Sequence, residues 1–203
     1  MTPDSTESAL SNWRQQLPML TARLVTLREP IAADLRPLID LLSTADASAF
    51  GMDEPVPDTA VQQLIDRASR DRAAGTAFTY VITIASTRAV VGLIQARQID
   101  LSWESAEWEC TLAPSWRGTG VFIETARLVG SLAFGTLGVH RLEARVTLQN
   151  GRANGALRKL GAVQEGVLRE SVRRGGGYQD QVLWSILKED WGELWVSTAP
   201  RVH

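Results

Sequence analysis

Cysteine, histidine and lysine are scarce in this 203-residue chain. There is one cysteine, Cys110, and there are two histidines, His140 and His203. Lysine occurs only as Lys159 and Lys188, so nearly all positive charge is arginine. A lone cysteine excludes an intrachain disulfide. One cysteine and two histidines speak against a cysteine/histidine zinc site, and no metal is expected. Neither sign of charge is in excess: 21 basic against 23 acidic residues leave a net charge of -2. That balance argues against a nucleic-acid partner held by bulk charge. No apolar run approaches membrane-spanning length, so no membrane partner is expected. The opening "MTPDSTESALSNW" has no basic region followed by an apolar run, unlike a secretory leader, which makes a cytoplasmic location the expectation.

What is present suits a soluble globular domain. Apolar residues make up 44% and charged residues 22%, enough for a sizeable core. The expected division is an N-terminal arm over 1–18, one domain over 19–192 and a tail over 193–203. A strand is predicted from Leu20 to Arg28, stopped by Pro30, and a helix within "ADLRPLIDLLSTA" from the spacing of Leu35, Leu38, Ile39 and Leu42. Asp58 is placed to cap a second helix, Thr59 to Ala74, that Gly75 ends. "AFTYVITIAS", "AVVGLIQARQIDL" and "SAEWECTL" read as consecutive antiparallel strands. A glycine turn leads into a helix running to about Leu137. "VHRLEARVTL" is a strand, "NGRANGALRKLG" a short helix, and "AVQEGVLRESV" with "YQDQVLWSIL" a closing hairpin. The order is α+β around one sheet.

The glycine turn "SWRGTGVFIETARL" is the most informative stretch. A helix start presents unpaired backbone amides and the positive end of the helix dipole. Gly118 and Gly120 at that junction let an anion, above all a phosphate or pyrophosphate, come close to the backbone. The stretch lacks the lysine and the serine or threonine of a Walker loop. It follows antiparallel-looking strands instead of opening a βαβ unit, unlike the dinucleotide fingerprint.

Four ordered pieces, "LTARLVTLRE", "APSWRGTGVFIETARL", "LGVHRLEARVTLQNGRANGALRKLGAVQEGVLRE" and "YQDQVLWSILKEDW", resemble the GNAT superfamily of acyl-CoA-dependent N-acyltransferases. The closest branch is that of the acetyltransferases of ribosomal-protein N-termini, over roughly Leu20 to Trp191. The resemblance implies a mixed, mostly antiparallel sheet of six to seven strands whose central strands splay, flanked by about four helices. It implies acetyl-CoA as donor and a primary amine as acceptor, either a small molecule or a protein N-terminus, with a homodimer as many relatives form. The turn Arg117, Gly118, Thr119, Gly120, Val121 and Phe122 is implied to hold the pyrophosphate. Asn150 is implied as a further cofactor contact. Arg152, Arg158 and Lys159 make a basic cluster on the short helix whose charge can pair with the cofactor's phosphates, and Arg158 is the residue taken from it. Phe122 departs from the family's glycine or alanine. Its ring turns either into the core, as helical spacing suggests, or into the cofactor groove.

Acyl transfer from a thioester to an amine needs a proton removed from the amine, a polarised carbonyl and a stabilised thiolate. Glu107 and Glu109 are two apart on a predicted strand, so they share one face, while Trp108 and Cys110 take the other. Either carboxylate can serve as the base; Glu107 is the first choice because it matches a glutamate common in the branch, and Glu109, which replaces the branch's small residue, is the second. Many relatives carry a serine where this chain has Ala153, followed by Asn154, so no general acid is identified. The departures at Phe122 and Ala153 define an alternative, a module that binds CoA or acyl-CoA without transfer. Asp46, Asp53, Glu54 and Asp58 form an acidic stretch near the expected acceptor side, and Trp103 and Trp108 are candidate aromatic walls.

Overall fold

The structure, a computed structural model, describes residues 13–43, 56–174 and 176–196. Residues 1–12 of the arm, Asp46, Asp53, Glu54 and the end of the tail lie outside the described residues. The chain forms two compact units. The first holds Met1–Gln98 and Trp108–Val129, the second Ile99–Glu107 and Gly130–His203.

In the first unit, the predicted strand Leu20 to Arg28 is broken in two. β1 (Leu20–Thr21) and β2 (Val25–Arg28) pair antiparallel, because the chain reverses between them with Ala22 N donating to the Val25 carbonyl at 2.9 Å. Helices α1 (Leu35–Leu42) and α2 (Asp58–Ala74) follow. Asp58 is the first residue of α2; the cap position belongs to Pro57, and the Asp58 carboxylate lies 3.6 Å from Arg36 instead. Strands β3 (Ala77–Ile84) and β4 (Val90–Gln98) pair antiparallel, and β3 also pairs with β2. Every residue of β3 is buried, so this strand carries apolar or satisfied side chains on both faces. Its buried threonines are satisfied: Thr83 Oγ1 donates to the Thr26 carbonyl, and Thr79 Oγ1 accepts from Gln95 Nε2, each at 2.9 Å.

The helical spacing of α1 and α2 has a plain physical result. Leu38, Leu41 and Leu42 of α1 and Val61 and Ile65 of α2 form one apolar cluster with Val81 and Leu93 of the sheet. Full burial of such a side chain is worth about 1.5–3 kcal/mol. The segment before α1 is anchored by a buried ion pair, in which both Arg28 Nη atoms donate to Asp34 at 2.7 Å. Ile31 N also donates to that carboxylate, so the buried charge is fully engaged. The hydrogen bond to Asp34 raises the Arg28 pKa further above its ordinary value.

Strand β5 (Ser105–Leu112) contributes Trp108–Leu112 to the first unit and Ser105–Glu107 to the second. In the second unit, β6 (Arg141–Thr147) pairs parallel with β5 and antiparallel with β8 (Gly177–Leu187), which pairs in turn with β7 (Val163–Arg174). The parallel ladder has three pairs, Ser105–Arg141, Ala106–Leu142 and Glu107–Glu143. The strand order is β1-β2-β3-β4-β5-β6-β8-β7, a mixed sheet of eight strands.

Helix α3 (Val121–Ser131) continues into a π-helical turn, Leu132–Thr136, close to the predicted end at Leu137. Helix α4 (Gly151–Leu160) ends at Gly161 as expected. The tail adds α5 (Lys188–Val196), giving five α-helices among the described residues against about four expected. Its Trp191 is buried against Phe134, with ring centroids 5.3 Å apart, and lies over Gly130, where a Cβ would meet the indole at 2.3 Å. The glycine thus admits the ring that docks the tail helix.

Charge knits the outer strands of the second unit. Arg141 on β6 donates through both Nη atoms to Glu165 on β7, at 2.6 and 2.5 Å, and Ser185 Oγ on β8 donates to Glu165 at 2.6 Å. The bond from Arg141, and then that from Ser185, lowers the Glu165 pKa from an ordinary 4.5 to about 2. A carboxyl whose folded value is depressed contributes stability above its unfolded value, and this is lost as pH falls through the folded value. Glu165→Gln is therefore expected to cost about 1 kcal/mol at neutral pH, the scale of a solvent-screened pair. The difference between variant and parent should fade between pH 4.5 and about 2. Urea melts at stepped pH check this; a difference constant down to pH 2 contradicts it.

Candidate active site

The glycine turn has the geometry expected of an anion cradle. A 3-10 turn, Pro114–Trp116, follows β5, and Arg117 Nε donates back to the Leu112 carbonyl at 3.1 Å, pinning the stem of the turn to the strand end. Thr119 Oγ1 donates to the Trp116 carbonyl at 2.7 Å, closing the loop on itself. Gly118 and Gly120 take φ of +79° and +93°, which other residues rarely adopt. The first helical bond runs from Glu124 N to the Gly120 carbonyl, so the amides of Val121, Phe122 and Ile123 precede the first intrahelical donor of α3. Nothing lies within 4 Å of a Cβ built on Gly118, and at Gly120 the single neighbour is a Leu24 methyl at 3.5 Å. Both glycines are exposed, so the backbone has open space in front of it. Glu124, an acid in the first turn of the same helix, spends Oε2 on Leu24 N at 2.7 Å, with Arg23 at 3.8 Å.

Phe122 packs. Its ring is half-buried and lies 6.3 Å from that of Trp108, tilted by 34°. Trp108 is itself buried, so its indole serves the core side of β5 and not an acceptor wall; Trp103 is likewise buried, in the loop before β5. Cys110 shares the Trp108 face. Burial, with a smaller contribution from the Glu109 charge, pushes its thiol up to about 12, so it is no nucleophile at neutral pH.

The opposite face of β5 carries the two glutamates, in different surroundings. Glu109 lines a groove of about 700 Å³ in the first unit, between α2 (Gln63, Arg67, Asp71) and the sheet (Thr79, Gln95, Arg97). That volume is in the range of small-molecule sites. A depression of about 650 Å³ beside Pro30–Ala32 is lined by no residue of β5 or of the glycine turn. Glu107, in the second unit, is largely buried, with Arg145 3.7 Å away. Glu143, its register partner on β6, lies 3.9 Å from the same Arg145 and accepts from Arg141 Nε at 2.8 Å. Glu143 was not among the residues expected from sequence. Alternation in "RLEARV" puts it on the face opposite Leu142 and Ala144, but pairing with Glu107 is a matter of cross-strand register.

The remaining candidates lie in the second unit. Asn150 is the N-cap of α4, its side-chain oxygen accepting from Ala153 N at 3.1 Å. Asn154 is buried and engaged throughout: Nδ2 donates to the carbonyls of Thr147 and Asn150, and Oδ1 accepts from Trp184 Nε1 at 2.8 Å. It therefore has no donor to offer a leaving thiolate. Arg158, in the last turn of α4, lies over the Trp184 ring at 5.6 Å. Tyr80 is buried with its hydroxyl donating to the Pro18 carbonyl at 2.9 Å, and burial raises its pKa well above the ordinary value, which removes it as a general acid. Among the described residues no helix is long and apolar enough to cross a membrane.

Known proteins resemble this chain in sequence and fold. Residues 24–163 match the family described as Acetyltransferase (GNAT) domain. A spermidine N(1)-acetyltransferase of Vibrio cholerae is 26% identical over 165 residues, covering 81% of this chain and 93% of that protein. A Bacillus subtilis protein, YdaF, provisionally named a ribosomal N-acetyltransferase, is 24% identical over 51% of this chain and 56% of its own length. Among solved structures, the V. cholerae spermidine N-acetyltransferase in complex with CoA and spermine superposes with a TM-score of 0.72 at 24% identity, covering 83% of this chain and 98% of that one.

Proposed function

The chain belongs to the GNAT acetyltransferase family and is an N-acetyltransferase, and on that premise we propose how its residues divide the work. Acetyl-CoA, the donor, supplies the thioester whose acetyl group passes to a primary amine, with CoA released as the thiol. The amides that open α3 hold the donor's pyrophosphate; the observation that carries this is the open, left-handed Gly118–Gly120 backbone immediately before them. Thr119, Val121 and Phe122 contribute backbone only. Arg117 shapes the turn through its bond to Leu112. Donor contact by Asn150 is supported by the family pattern alone, and by Arg158 through its charge alone, since Asn150 already caps α4 and Arg158 already covers Trp184.

The acceptor amine enters the groove lined by Glu109, which takes its proton directly or through one water. The freed lone pair then attacks the acetyl carbonyl. Glu107 is the second candidate base; Arg145 lies 3.7 Å from its carboxylate. The acceptor is a small-molecule amine or an exposed protein N-terminus. The test is calorimetric titration with acetyl-CoA, followed by thiol release across a panel of amines. Absence of binding at high micromolar donor overturns the reading.

The turn also makes a prediction of its own. Gly120→Val adds bulk beside the anion cradle and forces a branched residue to φ +93°. CoA affinity is expected to fall about tenfold, which is about 1.4 kcal/mol. Gly120 is exposed and meets only the Leu24 methyl, so circular dichroism should show the fold retained. Parental affinity in the variant places the donor elsewhere.

A further inference from the structure

The groove beside Glu109 carries both signs of charge. Two acids line it, Glu109 and Asp71, but so do two arginines, Arg67 on α2 and Arg97 on β4, with Gln63 and Gln95 as neutral donors. Arg67 is exposed, and its guanidinium has no hydrogen-bond or ion-pair partner among the described residues. An arginine directed to solvent at a groove wall is a ready carboxylate receptor, since its planar fork matches a carboxylate with two parallel bonds. A ligand with several ammonium groups would instead place positive charge against Arg67, a cost that works against such acceptors.

Resting on the assignment of this groove to the acceptor, we propose that the acceptor carries a carboxylate besides the amine that is acetylated, with the ammonium on the Glu109 side and the carboxylate on Arg67. A free amino acid and the acidic N-terminal stretch of a peptide both offer this pair of groups. The chemistry differs from that of the spermidine-named relatives, whose named substrate has amines and no acid.

The test measures kcat/KM by thiol release for four acceptors: free L-alanine, L-alaninamide, the peptide Ala-Glu-Glu-amide and spermidine. The carboxylate-bearing acceptors should exceed alaninamide and spermidine at least tenfold in the parent enzyme. Arg67→Gln should shrink the ratio of alanine, or of the acidic peptide, to alaninamide about tenfold. Which of the first and third acceptors is better distinguishes a free amino acid from a peptide. Preference for spermidine or alaninamide, or an unchanged ratio in Arg67→Gln, overturns the carboxylate proposal while leaving N-acetyl transfer in place. Thiol release with none of the four, together with no calorimetric binding of any of them to the CoA-loaded protein, counts against this acceptor chemistry. Failure to bind acetyl-CoA itself is the separate result that would remove the catalytic reading beneath it.

Discussion

Replacing Glu109 with glutamine is expected to lower turnover about a hundredfold while leaving CoA affinity nearly unchanged. The carboxylate faces the groove from the strand face opposite Trp108, and the donor's phosphates are assigned to the turn beyond Leu112. A hundredfold loss is the lower end of what a positioned general base supplies, and corresponds to about 2.7 kcal/mol of barrier. Glutamine keeps the size and hydrogen bonding of the side chain but cannot take the amine's proton. The loss should therefore shrink as pH rises, because more acceptor arrives already deprotonated. Glu107→Gln is the companion variant. Family context favours Glu107 as the base, whereas its position beside Arg145 and opposite Glu143 favours a structural charge cluster. Its expected loss is severalfold at most, and flat with pH. Steady-state rates of both variants across pH decide between them. A hundredfold, pH-sensitive loss in Glu107→Gln alone reverses the assignment, and parental rates in both leave positioning as the source of catalysis.

Asn154→Leu should be the most damaging single substitution to stability among those considered, at about 3 kcal/mol. Its carboxamide links three elements: it donates to the carbonyls of Thr147 at the end of β6 and Asn150 at the start of α4, and accepts from the Trp184 indole on β8. Leucine fits the volume but leaves a buried N–H and two carbonyls short of a partner, each costing the desolvation of a polar group. Asn154→Asp separates the contributions. It retains an acceptor for Trp184 and removes the donors to the two carbonyls, adding a buried charge, so it should not rescue the fold. Chemical denaturation followed by tryptophan fluorescence measures the loss; a cost under 1 kcal/mol for leucine would mean that the network is dispensable. CoA binding by folded Asn154→Leu should be close to parental, since none of the side chain's polar groups is open to a ligand.

The sequence by itself determined the local features. Strand alternation in "SAEWECTL" put Glu107 and Glu109 on one face, and the structure has Trp108 on the other, against Phe122. The glycines of "RGTG" marked a turn before a helix where backbone could lie open, and Gly118 and Gly120 take positive φ there. Asn150 caps α4, and Gly75 and Gly161 end their helices, because capping and left-handed termini depend on residues only a few positions apart. Family and fold were legible for the same reason: the ordered motifs are short-range signatures strung along the chain. Tertiary structure alone decided the neighbours. Periodicity gives a side chain's face but not the register of the next strand, so the Glu143 opposite Glu107 and the Arg145 between them had no local signal. The same limit hid the turn that breaks the first strand into β1 and β2, and the bonds that absorb Asn154. Most consequentially, α2 sets Arg67 over the groove beside Glu109, although 42 positions separate the two along the chain. A juxtaposition of that kind comes from packing the apolar face of α2 onto the sheet, which leaves its polar edge at the groove.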